Sequence, residues 1–124
     1  MAELHVELVA ADRKVWSGEA TIVVARTASG DIGIMPGHSP LLSVLESDPV
    51  TIRTTDGGTV VAAVHGGFIS FSDNKLSILA EIAELADEID VERAERALER
   101  AKSEADAIAE KRAAIRLRAA TGTH

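Results

Sequence analysis

The chain has 124 residues, 46% of them hydrophobic, with a net charge of −7 at pH 7 and no cysteine. That length suits one small domain with an appendage, burying about two-thirds of the unfolded surface. The acidic balance and a set of only three aromatic side chains, Trp16, Phe68 and Phe71, exclude a nucleic-acid binder, and the lack of cysteine excludes disulfide frameworks, thiolate metal sites and cysteine nucleophiles.

The opening MAELHVELVAADRK has neither a basic n-region nor an apolar h-region, so no signal peptide is expected. The longest apolar run, VVAAV, falls far short of the roughly twenty residues of a membrane span, and the expectation is a soluble intracellular protein. Within ELHVELVAA, apolar residues alternate at Leu4, Val6 and Leu8, and ATIVVART is a short β-rich run. PVTIRTT, DGG and TVVAAV in succession predict a hairpin, with Asp56 and Gly57 as turn residues. GGFISF and KLSILAE flank a second turn cluster, SDN. Short strands separated by turn residues predict a sandwich or barrel. The Gly66-Gly67 pair reads as a bulge or a close strand contact.

Between these strands lies GDIGIMPGHSPLL, Gly30 to Leu42, with three glycines, two prolines, Asp31 and His38. A phosphate loop is disfavoured, because Pro36 and Pro40 remove amides and no Gly-Lys-Ser/Thr follows. His5, His38, His65 and His124 have no paired spacing, so a metal site is not expected. Ser39 lacks the strand-turn-helix elbow that exposes a nucleophile. No catalytic residue is assigned, and the residues alone leave a docking surface and a structural loop equally open.

From Asn74 to Thr121 there is neither glycine nor proline, and the composition turns to alanine, glutamate and arginine. Asp90 is a good N-cap, with Glu92 in the first turn and Arg116 and Arg118 near the end. Val91, Ala94, Leu98, Ala101, Ala105, Ile108 and Ile115 keep a 3–4 spacing, a narrow stripe of mostly small residues. Such a stripe predicts weak, reversible attachment, since each methyl contributes only about 0.8 kcal/mol.

Four of these stretches together resemble the epsilon subunit of bacterial F-type ATP synthases. VAADRKVWSGEA resembles the family's strand, polar turn and aromatic-Ser-Gly step. GDIGIMPGHSPLL resembles its most specific motif, and VHGGFISFSDNKLSILAE resembles the strands that close its sandwich. EIDVERA matches the motif at the head of the family's helical part. The resemblance covers nearly the whole chain.

It implies a ten-stranded N-terminal β-sandwich over 1–86 as docking domain, and a regulatory two-helix hairpin, or one extended helix, over 87–124. Only KSEADA is available as an interhelical turn, so both helical forms stay open. The implied role is a non-catalytic rotor subunit of the central stalk, coupling proton transport to ATP synthesis and restraining ATP hydrolysis. Its implied partners are the gamma subunit, the c ring and the alpha/beta catalytic head, with the chain held peripherally at the cytoplasmic face of the cell membrane through that complex. By the same resemblance Asp31 meets the c ring and His38 lies at the neighbouring stalk contact. No cofactor is required. ATP is a candidate regulatory ligand at Glu84, Ile89, Asp90, Arg93, Ala94, Arg100, Arg112 and Arg116, where arginines would hold phosphates; an ordinary ion-paired helix face is the equal alternative. A free-standing ATP-sensing module is the competing reading, and a small enzyme using His38 and Asp31 a third.

Overall fold

The computed structural model describes residues 3–121. Seven strands come first: β1 (Leu4–Ala10), β2 (Lys14–Thr27), β3 (Gly30–Ile34), β4 (Leu41–Val44), β5 (Asp48–Thr54), β6 (Thr59–Ser72) and β7 (Lys75–Leu85). A 3-10 turn (Ala86–Glu88) leads into α1 (Val91–Ser103) and α2 (Ala107–Thr121). The sheet runs β1-β7-β6-β5-β2-β3, with β4 also on β6, and β1 pairs with β2 as well as β7. Strands β1, β7, β6, β5 and β2 thus form a closed, flattened ring, which removes most exposed strand edges.

The class is the expected sandwich plus helices, but the strand count is seven where ten were expected. Two long strands account for the difference. β2 pairs with β1 up to Ala20 and then with β5 and β3. β6 pairs with β5 up to Val64 and with β4 from Phe68, running unbroken through Gly66-Gly67. Gly67 shows how: at φ +123°, a Cβ there would lie 2.0 Å from the Leu79 carbonyl oxygen. The close strand contact read from the glycine pair is what the backbone needs.

β1 alternates buried and half-buried residues along its whole length, as its sequence alternates. Leu4, Val6 and Leu8 share a mostly aliphatic core with Ile52, Ile69 and Phe71, all at most 1% exposed. Hairpin turns follow the sequence signals. Asp56 accepts from the Gly58 amide at 3.0 Å, and Asp73 and Asn74 both take positive φ, as tight antiparallel hairpins require.

The helical part is a hairpin, not one extended helix. Asp90 caps α1 by accepting from the Arg93 amide at 3.0 Å. At the other end, Ala105 donates to Lys102 (3.2 Å) and Asp106 donates to Ala101 (2.8 Å), the paired bonds of a Schellman stop. Asp106 then caps α2, accepting from the Ala109 amide at 3.0 Å. The stop puts Ala105 at φ +56°, where glycine is usual. It also breaks the expected stripe: Ala105 is exposed and Ile108 is 69% exposed, while Ala113, Ile115 and Ala119 make the buried face of α2.

This left-handed alanine yields a prediction. Ala105→Gly removes a steric cost of about 1 to 2 kcal/mol, partly offset by extra freedom in the unfolded chain. Urea unfolding will show the variant more stable by about 0.5 to 1 kcal/mol. A destabilised variant would contradict the turn geometry.

Candidate functional site

Asp31 and His38 come from one motif but do not form one site. Asp31 stands near the start of β3, 73% exposed in its side chain, with one oxygen 3.4 Å from Arg26 Nε. His38 lies beyond the other end of β3, roughly 10 Å of strand further on. There its ring meets Phe71 edge-on, with centroids 6.0 Å apart, and Nδ1 is 2.7 Å from the Ser39 carbonyl oxygen. Asn74 braces the same loop by accepting from the Gly37 amide at 2.8 Å. A shared catalytic pair of Asp31 and His38 is therefore excluded by the length of β3. No group of three His, Asp or Glu suited to a metal exists among the described residues.

The helical candidates fare differently. Glu84, Ile89, Asp90, Arg93, Ala94, Arg100 and Arg116 all line one cavity of about 520 Å³, between the end of β7, the start of α1 and α2. Folding assembles this set from three elements. Arg93 and Arg100 are seven residues apart on α1, so two helical turns put both guanidinium groups on the same side. Neither has an ion-pair partner among the described residues. Arg116, by contrast, donates through Nε to Glu84 at 2.5 Å. Glu88, at the rim, is held below the usual carboxylate range by the Arg13 guanidinium, 3.3 Å away, and by the Leu85 amide. The cavity thus offers Arg93 and Arg100 without ion-pair partners among the described residues, Arg96 and Arg116 engaged by Glu92 and Glu84, and carboxylates that accept. Arg112 is not among its walls. It lines a separate cavity of about 490 Å³ with His65, Glu81 and Lys111, because a residue one turn before Arg116 sits over β6 instead.

A further feature was missed in the sequence. Val44 on β4 is in register with Phe68 on β6, and Phe68 with Leu79 on β7, so the three side chains form a row across the outer face. They are 51%, 54% and 54% exposed, and Leu42, two residues before Val44 on the same face, is 75% exposed. An apolar row of this kind on a small protein marks an interaction surface. The signal was present: LLSV, GFIS and SILA carry apolar residues on both faces, where a strand over a core and facing water carries them on one.

No described helix is long and apolar enough to cross a membrane. The family model of the ATP synthase delta/epsilon chain β-sandwich domain matches residues 3–86. An ATP synthase epsilon chain of Streptomyces griseus is 83% identical over 118 residues, covering 95% of each chain. That of Micrococcus luteus is 54% identical over 87 residues, which make up 70% of this chain but 96% of the relative. The fold is similar to a chain in the cryo-EM structure of the Euglena gracilis mitochondrial ATP synthase OSCP/F1/c-ring, with a TM-score of 0.75, 22% identity and 94% and 76% of the two chains covered.

Proposed function

The chain belongs to the epsilon-chain family of ATP synthase and is a subunit of that complex, and from that premise we propose that it is a non-catalytic rotor subunit of the central stalk. In this reading it bridges the gamma subunit and the c ring at the cytoplasmic face of the membrane and couples proton transport to ATP synthesis. The observation that carries the docking role is the exposed apolar row Leu42, Val44, Phe68 and Leu79, which we assign to the gamma subunit. A rigid, closed sheet presents this row without reorganisation, which lowers the cost of binding. Exposed Asp31, displaced from His38 by the length of β3, supplies a polar contact for the ring, so the subunit touches two partners at once. The test is recovery from a membrane extract with the tagged full chain. Gamma and c subunits come down with it; a chain recovered alone overturns the proposal.

The helices are assigned the role of a brake on ATP hydrolysis. Their attachment is slight: Ala63, Ile115 and Ala119 are its buried centre, with Val61 and Ile89 beside them. Two ion pairs frame it, Arg116 to Glu84 at 2.5 Å and Arg118 to Asp48 at 2.7 Å. Both pairs are partly exposed and contribute about 1 kcal/mol or less each. Released and continuous, residues 91–121 would span roughly 46 Å and carry Lys111, Arg112, Arg116 and Arg118 toward the catalytic head.

The cavity of about 520 Å³ favours ATP as a ligand that holds the hairpin folded, with Arg93 and Arg100 on the phosphates. At a free concentration ten times its dissociation constant, ATP then stabilises the isolated chain by about 1.4 kcal/mol, a shift of several degrees in Tm. Arg93→Ala will abolish that shift. No shift for the wild type at millimolar ATP would return these arginines to a solvated helix face.

A further inference from the structure

His65 sits on β6 where α2 covers the sandwich, beside the Ala63, Ile115 and Ala119 patch. It is 2% exposed, and both ring nitrogens are buried with no hydrogen-bond partner. The groups around it are unfavourable to a second positive charge. α2 presents Arg112 and Arg116, with Lys111 at the shared cavity, while β7 presents Glu84 and Glu81. Glu84 is already engaged by Arg116, and Asp48 of β5 by Arg118. α1 packs on α2, and none of its described residues is among the charges acting on the ring or lining its cavity. A neutral imidazole is tolerated in this apolar seam; an imidazolium would hold both N–H groups buried from water and unpaired, with Glu84 taken by Arg116 and Glu81 lining the cavity without a hydrogen bond to the ring.

We infer that His65 is an acid-operated latch, whose protonation releases α2 from the sandwich. Burial first, and then Arg116, push the docked ring down to about 4, with Glu84 opposing and Arg112 adding to the shift. Once α2 leaves, the ring regains an ordinary value near 6.5. The released state therefore binds the proton more tightly. Attachment is full above pH 6.5 and weakens as pH falls from 6.5 toward 4. Between pH 7.5 and 5.5 the docking constant drops about tenfold. The latch stands on the seam alone; where the helices are a brake, acid engages it.

The chain has no cysteine, so two exposed positions can be labelled cleanly. Nitroxides at Arg53→Cys on β5 and Lys102→Cys on α1 report the sandwich-to-hairpin distance by electron paramagnetic resonance in the full chain. At pH 7.5 one short distance dominates; at pH 5.5 the ratio of released to docked chains rises about tenfold. His65→Leu keeps the short distance at both pH values, and His65→Gln, also unable to charge, removes the pH dependence too. Trp16 fluorescence verifies that the sandwich stays folded in each variant. A wild-type distance unchanged at pH 5.5 overturns the latch. So does an equal release in His65→Leu and His65→Gln, which would place the titration at a group other than His65, His5 on β1 being the other histidine whose proton is held by its neighbours.

Discussion

Phe68→Glu abolishes assembly of the chain into ATP synthase while leaving its Tm within a few degrees of wild type. Phe68 is the middle of the outer apolar row, flanked in register by Val44 and Leu79, and its side chain contributes little to the core. Folding therefore loses little when it changes. Binding loses much. Burial of a phenylalanine in an interface is worth about 2 to 3 kcal/mol, and the glutamate must in addition be desolvated against an apolar partner. A loss of more than about a hundredfold in affinity follows, the size expected of a central anchor. Co-purification of gamma with the tagged variant measures it. Normal recovery would move the interface off this face.

Removing everything after Asp87 raises ATP hydrolysis severalfold and leaves assembly complete. The cut falls in the 3-10 turn, beyond the last strand residue, so all seven strands and the apolar row remain. What is lost from the sandwich is the seam of Ala63 with Ile115 and Ala119, a few kcal/mol of burial that the sandwich core, centred elsewhere on Leu4 and Phe71, does not depend on. ATPase assays on complexes rebuilt with the full and shortened chains decide the matter. Unchanged hydrolysis in a complete complex would show that the helices are no brake.

Local rules made much of the fold legible. The β1 alternation, the Asp56-Gly57 and Asp73-Asn74 turns and the Asp90 cap each follow from the chemistry of a few adjacent residues. The interhelical turn was not legible, because it uses alanine at a position whose usual occupant is glycine. Ala105 bears a modest steric cost that Asp106, capping the next helix, helps to offset. Strand number was hidden because glycines that punctuate a sequence, Gly18, Gly66 and Gly67, here lie inside continuous strands. The site divides in the same way. Seven of the eight helical candidates meet at one cavity, Arg93 and Arg100 through helical spacing on α1 and Glu84 and Arg116 through the packing of α2 beside β7, whereas Arg112 is turned toward β6. His65 looked like one of several scattered histidines; only the docking of α2 makes it a buried, unpartnered group. Register across three strands, not local pattern, builds the row of Val44, Phe68 and Leu79.

The most direct measurement is a titration of the full chain into a gamma-containing catalytic complex from which the resident epsilon chain has been removed, followed by calorimetry. A rotor subunit docked through a preformed face saturates at one chain per complex, with affinity that Phe68→Glu destroys and removal of the helices spares. No heat of binding from the folded wild-type chain, or binding indifferent to Phe68→Glu, would contradict the proposed stalk role of this face.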